Sequence, residues 1–290
     1  MIKEGPVCLF CGQTDITFTA FEDTVFNKKT FEYVKCTNCS LIFVHPLPTM
    51  DDITKMYPVE YQGELAKAYG RYDELFRKIK SLGNFNTVLD YGCGGGRFVV
   101  EAVENGFNIT GTEYNPDLVA KLKSNFPKAS FLTIDEFFKS EDKFDIIFLS
   151  NVLEHLTNPK EIMQLLKGRL TDNGLFVLEG PIENNFNLTQ LVRKTLFFIR
   201  KYIFRKKASH VPTHILYSNR KNQEQLFKDI GLETLYFDID ESNWPFPSNY
   251  ADCKSMMQKA MYWIATFSVK MSKNFPWWGN NFTYIGKKKI

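Results

Sequence analysis

The chain has 290 residues, 36 Lys and Arg against 33 Asp and Glu for a net charge of +3, and six cysteines. That length suits one full α/β domain with a smaller appendage. With 44% apolar and 24% charged residues, the composition is that of a soluble globular chain, neither disordered nor membrane-spanning.

The opening Met-Ile-Lys-Glu-Gly-Pro lacks the apolar core of a signal peptide, so a cytoplasmic protein with reduced thiols is expected. Cysteines in that setting point to metal before disulfides. Residues 1–48 hold four of the six, as Cys8-x-x-Cys11 and Cys36-x-x-Cys39, each pair followed by a small residue, Gly12 or Ser40. A two-residue gap lets two thiolates on one tight turn face one ion, and two such turns complete a tetrahedral site. The spacing therefore predicts a structural zinc held by Cys8, Cys11, Cys36 and Cys39, with no position open to water. The alternatives are four unrelated buried cysteines or a redox dithiol.

Residues 49–86 form a polar and aromatic helical connector punctuated by Tyr57, Tyr61, Tyr69 and Tyr72. From 87 to 182, β-branched and aromatic runs alternate with amphipathic stretches, which predicts βαβ units and a parallel sheet. The expected strands are Thr87–Tyr91, Asn108–Thr112, Ser130–Thr133, Phe144–Ser150 and Leu175–Gly180. Helices are expected near Phe98–Asn105, Pro116–Asn125 and Lys160–Leu170, with Asp172-Asn173-Gly174 as a stop and turn. Beyond 182 come a long helix over Leu188–Lys207, a loop with His210 and His214, and a helix near Asn222–Ile230. A strand at Glu233–Asp238, a Trp/Pro-rich loop from Trp244 to Pro247, a helix near Ala251–Met271 and an edge strand at Phe282–Gly286 complete the chain.

The most informative run is Val88-Leu89-Asp90-Tyr91-Gly92-Cys93-Gly94-Gly95-Gly96-Arg97-Phe98. An apolar strand enters alternate glycines and then a helix, so the backbone can turn sharply and approach a ligand at the helix start. The next strand ends in Glu113, whose carboxylate can accept both hydroxyls of a ribose. No Gly-Lys-Ser/Thr follows, which excludes a Walker loop.

These residues resemble motif I of the class I S-adenosylmethionine-dependent methyltransferases. Phe144-Asp145-Ile146-Ile147 and Ser150-Asn151-Val152-Leu153-Glu154-His155-Leu156 resemble the fourth strand and following loop of that family. The cysteine pairs, then Pro46-Leu47-Pro48 with Tyr57 and Tyr61, are similar to bacterial members with an N-terminal zinc ribbon, many of which modify sugars or surface glycans. The resemblance implies a Rossmann-like seven-stranded sheet over 87–290, with 182–275 as a substrate-side insertion and C-terminal helices, and a small zinc-ribbon appendage at 1–48. It implies that Asp90, Gly92, Gly94 and Gly96 line the methionine and ribose of the cofactor. Glu113 would bind the ribose, Tyr114 would lie beside the adenine, and Asp135 with Glu136 would meet the adenine amino group. Ser150 and Asn151 would flank the sulfonium. Quinone-pathway O-methyltransferases of this fold carry a Glu-x-x-Glu-His run that serves a divalent cation. Here Asn151 takes the first position, which weakens a catalytic metal and a catechol acceptor together.

O-methylation of a sugar needs a general base, because hydroxyls are poor nucleophiles. His155 and His214 are the candidates. His214 falls where His210-Val211-Pro212-Thr213-His214-Ile215-Leu216-Tyr217-Ser218 resembles the family's His-Leu-x-x-Phe-Ser segment. Sugar C-methylation, RNA-base methylation and a non-catalytic cofactor-binding protein are the alternative functions. The first is set lower because those enzymes carry a long additional C-terminal domain; nucleic acid is not an expected partner.

The near-neutral charge conceals an asymmetry. From Asn184 to Gln223 there are nine Lys and Arg and no Asp or Glu, so this stretch carries +9 and the rest −6 (3 minus 9). At the helical period Leu188, Val192, Leu196, Ile199 and Ile203 share one face, while Arg193, Lys194, Arg200, Lys201 and Arg205, with Phe197 and Phe204 among them, gather opposite. This helix is expected to receive an anionic acceptor, such as a nucleotide diphosphate-sugar or a lipid-linked glycan, or to touch anionic membrane at its inner face through 188–207.

Overall fold

The structure, a computed structural model, describes residues 5–57, 65, 70–185, 191, 195, 198–203, 211–241, 249–275 and 278–289. In chain order the strands are β1 (Ile16–Phe18), β2 (Thr24–Phe26), β3 (Lys29–Cys36), β4 (Ile42–His45), β5 (Thr87–Tyr91), β6 (Asn108–Glu113), β7 (Ser130–Thr133) and β8 (Phe144–Ser150). They continue with β9 (Leu170–Pro181), β10 (Leu216–Tyr217), β11 (Leu232–Asp240) and β12 (Asn281–Lys288). The helices are α1 (Met50–Met56), α2 (Asp73–Leu82), α3 (Arg97–Glu104), α4 (Pro116–Asn125), α5 (Ile134–Lys139), α6 (Pro159–Gly168), α7 (Arg220–Asp229) and α8 (Met256–Asn274).

One sheet has seven strands in the order β11-β12-β9-β8-β5-β6-β7, as the resemblance implied. Its centre is parallel: β5 pairs in parallel with β6 and β8, β6 with β7, and β8 with β9. Asp145 explains the Phe-Asp step that opens β8. Its Oδ2 accepts from the amides of Asn86 (2.9 Å) and Thr87 (3.0 Å), and its Oδ1 accepts from the Thr171 hydroxyl (3.1 Å). One carboxylate of β8 thus ties the start of β5 on one side to β9 on the other.

Two expectations are corrected here. Asp172-Asn173-Gly174 does not separate a helix from a strand: it lies within β9, where the pairing passes from Phe144↔Leu170 to Ile146↔Leu175. Between those pairs one residue of β8, Asp145, faces four of β9, Thr171 to Gly174, so the turn-forming residues make a bulge. The last run is no edge strand, since β12 lies between β11 and β9. Phe282, Tyr284 and Ile285 are buried, an apolar load that an edge strand would not need.

The chain divides into two compact units: Pro48–Glu179 with Phe227–Tyr236 and Tyr284–Ile290, and Met1–Leu47 with Gly180–Leu226 and Phe237–Thr283. In the first, the glycine-loop unit, α2 enters the main core through Tyr72, Leu75, Phe76 and Ile79. Phe98 stacks on Phe148 at 3.8 Å between centroids and on Phe76 at 5.2 Å.

The second, the cysteine unit, contains a sheet in the order β1-β3-β4-β10, with β2 added on β3. Leu216 and Tyr217 of β10 pair with Phe43 and Ile42 of β4, so a segment far along the chain completes the sheet of the cysteine segment. The rings of Phe21, Tyr33 and Tyr217 pack at 5.4 to 5.7 Å.

Most of the long helix expected over 188–207 lies outside the described residues, as do Tyr61, Tyr69, His210 and the loop Trp244 to Pro247. Ile199–Ile203 is a π-helical turn. Ile203, assigned from the sequence to the apolar inner face, is 65% exposed, together with Leu191, Phe198 and Tyr202. Among the described residues, no helix is long and apolar enough to cross a membrane.

Candidate active site

The strand β5 ends at Tyr91, and the backbone then passes through left-handed conformations at Gly92 (φ 78°), Gly94 (φ 51°) and Gly96 (φ 80°) before α3 begins. Only glycine takes that run without strain. At Gly92 a side chain is also excluded by space, because a Cβ would approach Val152 Cγ2 at 2.7 Å. Gly94 differs: a Cβ there would have nothing within 4 Å, so its bare backbone borders open space.

That space is a cavity of about 360 Å³ whose walls include Asp90, Gly92, Gly94, Ser150 and Asn151, with Arg71 and Tyr72. Asp90 is 3% exposed. Burial, and then the charges of Glu113 and Glu179, push its carboxyl well above the usual carboxylate range. Burial also lifts the Tyr72 hydroxyl to about 12, with Glu179 adding to the rise, and Ser150 hydrogen-bonds to it. Asn151 has a positive φ of 53° and its side-chain amide donates to Ser150 Oγ at 3.2 Å. Its strained backbone turns the chain sharply off the end of β8.

The other residues expected at the cofactor are arranged unequally. Glu113 is fastened to the glycine loop: its Oε2 accepts from the Gly94 amide (3.0 Å) and its Oε1 from the Tyr114 amide (2.8 Å). Oε1 also accepts a longer bond from the Asn115 amide (3.4 Å), which leaves Oε2 as the oxygen with room for a ligand hydroxyl. Tyr114 is half-exposed. Asp135 is exposed in the first turn of α5. Glu136 closes a capping box, accepting from the Thr133 amide (2.7 Å) and hydroxyl (3.1 Å), and those bonds hold its carboxyl below the usual range. Its acid is therefore occupied by the helix start, and none of these four lines the cavity.

Arg71 and Tyr72 were not singled out for the site by sequence reasoning. They are placed by Glu101, 2% exposed on α3, whose carboxylate accepts from the Tyr72 amide at 2.9 Å and the Arg71 amide at 3.4 Å. An acid beside Phe98, Val99 and Ala102 on the buried face of a helix was the signal available.

The two candidate bases fall in different units. His155, in a 3₁₀ turn after β8, has Nδ1 at 2.7 Å from the Tyr57 hydroxyl and Nε2 at 3.7 Å from Glu154 Oε1. His214, in the cysteine unit, has Nδ1 at 2.6 Å from Glu183 Oε2. Glu183 also escaped the sequence reading, because it stands 31 residues from its partner.

In the cysteine unit the two Cys-x-x-Cys turns are alike. The Gly12 amide donates to the Cys8 carbonyl (2.9 Å) and the Ser40 amide to the Cys36 carbonyl (3.0 Å), and Gly12 and Ser40 have φ of 72° and 63°. The four thiols converge, with all Sγ atoms within 4.8 Å of one another, Cys8 to Cys39 at 3.4 Å and Cys11 to Cys36 at 3.6 Å. A tetrahedral ion with bonds of about 2.3 Å to sulfur spaces its ligands by about 3.8 Å, so the donor set fits such a site. The hydrogen bond between Cys8 and Cys39 lowers the Cys8 thiol and raises that of Cys39, as two thiols sharing one proton do.

Comparison with known proteins agrees with this geometry. A methyltransferase-domain family profile matches residues 61–236, more than half of the chain. A ubiquinone biosynthesis O-methyltransferase of Glaesserella parasuis is 36% identical over 102 residues, covering 31% of this chain but only 43% of that protein. One of Rickettsia canadensis is 22% identical over 173 residues, covering 56% of this chain and 71% of that protein. Among solved structures, phosphoethanolamine N-methyltransferase 2 of Haemonchus contortus in complex with S-adenosylmethionine matches with a TM-score of 0.50 at 12% identity, over 86% of this chain and 62% of that one. An S-adenosylmethionine-dependent methyltransferase of Archaeoglobus fulgidus matches with a TM-score of 0.49 at 19% identity, over 74% and 92%. With the glycine loop and strands β5 to β9 of the seven-stranded sheet falling inside the matched residues, the chain belongs to the methyltransferase-domain family and has the class I S-adenosylmethionine-dependent fold.

Proposed function

We propose that the protein is an O-methyltransferase that binds S-adenosylmethionine over the glycine loop and acts on a sugar hydroxyl of a nucleotide- or lipid-linked glycan, in cytoplasmic steps of surface-polysaccharide synthesis. The observation that carries the donor half is the cavity beside the glycine loop, with the buried Asp90 in its wall. Burial, and then the charges of Glu113 and Glu179, raise the Asp90 carboxyl, and a cationic group bound beside it would favour its ionised form. When bound, S-adenosylmethionine supplies an electrophilic methyl group on a sulfonium. Around it Gly94 offers close backbone approach, Glu113 receives ribose hydroxyls, and Tyr72 stays a neutral hydrogen-bonding hydroxyl at physiological pH.

The acceptor half is supported by the histidine–carboxylate pair. In the tautomer that donates Nδ1–H to Glu183, Nε2 of His214 is the atom that would take a hydroxyl proton, and Glu183 would stabilise the imidazolium that results. His155, braced by Tyr57, is the second candidate. The name O-methyltransferase carried by the curated relatives supports oxygen over carbon as the nucleophile. The converging thiols are assigned one structural zinc ion.

Those relatives' names favour a second reading, a phenolic hydroxyl of a quinone precursor. Against it, Asn151 stands at the first position of the cation-serving run, and its amide bonds Ser150. Incubation with labelled S-adenosylmethionine and either nucleotide-sugars, lipid-linked glycans or a catechol, with and without added magnesium, tests the choice. Magnesium-independent label on a sugar hydroxyl supports the first reading; label on the catechol alone replaces it with the second.

A further inference from the structure

An amphipathic helix in a globular protein buries its large apolar side chains and exposes small and polar ones. The helix α8 does the reverse. Its buried residues are Ala265, Ser268 and Ser272, with Ser268 Oγ accepting from Trp278 Nε1 at 2.8 Å. Its outward residues are Met256 (82% exposed), Met257 (71%), Trp263 (61%), Ile264 (40%) and Phe267 (54%). At 100° per residue these five fall within about 120° of the helix circumference, so they form one continuous apolar face. The helix is a firmly begun element, because Ser255 and Gln258 cap it reciprocally: Ser255 Oγ accepts from the Gln258 amide (3.1 Å) and Gln258 Oε1 from the Ser255 amide (3.2 Å).

Charge decides what covers this face. From Cys253 to Ile290 there is no Asp or Glu, and there are seven lysines. Lys259 and Lys270 stand along one edge of the apolar face, with Lys273 beyond them. Lys259 lies over the Tyr250 ring at 5.5 Å, and that ring meets Trp263 at 5.8 Å and Tyr262 at 5.7 Å. Tryptophan and tyrosine beside lysine, on an apolar face free of acids, match the headgroup layer of an anionic bilayer. A second copy of the chain fits less well, since a two-fold contact through this face sets one acid-free, lysine-bearing helix against another. The same unit carries a second exposed apolar set, Leu191, Phe198, Tyr202 and Ile203, within the +9 stretch, where the rings of Phe198 and Tyr202 lie 4.8 Å apart.

We propose that α8 docks the protein on an anionic membrane surface, lying in the bilayer interface with Met256, Met257, Trp263, Ile264 and Phe267 inserted and Lys259 and Lys270 at the lipid phosphates. The proposal is independent of the acceptor and of catalysis. The test is co-sedimentation of the full chain with vesicles of phosphatidylglycerol and phosphatidylcholine, against phosphatidylcholine alone, at low ionic strength. The expected result is pelleting with the anionic vesicles only, weakened by about tenfold or more in Trp263→Ser/Phe267→Ser and in Lys259→Glu/Lys270→Glu. Because these side chains face outward, melting temperature and S-adenosylhomocysteine affinity should stay unchanged in both variants. Failure of the wild type to pellet with anionic vesicles overturns the proposal, as does pelleting that neither variant weakens. A vesicle-free dimer that Trp263→Ser/Phe267→Ser converts to monomer also overturns it, assigning the face to a second copy.

Discussion

The glycine-loop unit and the cysteine unit reach compactness by opposite means. The first is packed around Phe76, Phe98, Phe107 and Phe148, on helices and strands that mostly follow one another along the chain. The second is gathered from three separated stretches, places four thiols at one point, and keeps its largest helix mostly outside the core. The first has a large aromatic core, whereas in the second a buried set that includes Phe31, Tyr33 and Phe43 stands beside four thiols that one ion would cross-link. The lesson is that stability and ligand binding in the first unit, and the metal and membrane contacts proposed for the second, can be perturbed separately.

The largest expected effect is on the donor. Gly94→Arg should abolish S-adenosylhomocysteine binding by calorimetry, since its side chain enters the cavity from a position with nothing within 4 Å. Zinc content should remain unaltered, and parallel loss of zinc would erase the separation of the two units. Next, His214→Ala should lower turnover by about 10²- to 10⁴-fold while leaving cofactor affinity nearly unchanged. Unchanged turnover would remove His214 as the base and leave His155.

A paired measurement sharpens the contrast in stability. Phe76→Ala should cost about 3–5 kcal/mol in denaturant unfolding of the glycine-loop unit, with the zinc proposed for the cysteine unit retained. Cys36→Ser should instead release zinc and open the cysteine unit to protease while S-adenosylhomocysteine still binds.

The smallest effect follows from Asp90. Its carboxyl is raised by burial, then by Glu113 and Glu179, so it contributes stability at acidic pH that is lost as pH climbs from 3.8 through the folded-state value. A cationic ligand prefers the ionised form, so S-adenosylmethionine affinity should rise over the same window, by at most about tenfold per pH unit. The unliganded protein should therefore lose stability where the complex gains affinity, and Asp90→Asn should flatten both trends. Affinity that falls with rising pH would contradict a role for Asp90 beside a cationic ligand.

Legibility in the sequence followed the same division. The strands β5, β7 and β8 coincide with the stretches expected from alternation, because local apolar runs bounded by polar turns carry the information. The glycines at 92, 94 and 96 announced positive φ, and all three have it. The assignment of adenine contacts fared differently: Glu136 is spent on a helix cap, a competition invisible in a run of two adjacent acids. Arg71 and Tyr72 reached the cavity unannounced, because the acid that holds them lies about 30 residues away.

The sequence by itself determined the βαβ order, the glycine loop and the two Cys-x-x-Cys turns, all of which are written in residues within a few positions of one another. Tertiary structure alone decided that Leu216 and Tyr217 complete the cysteine unit's sheet, that β12 runs inside the large sheet, that Glu183 meets His214, and that α8 turns its large apolar side chains outward. The physical reason is separation along the chain. Periodicity reports which face of an element is apolar, but whether that face meets a core, a solvent or another surface is settled by segments dozens to hundreds of residues away.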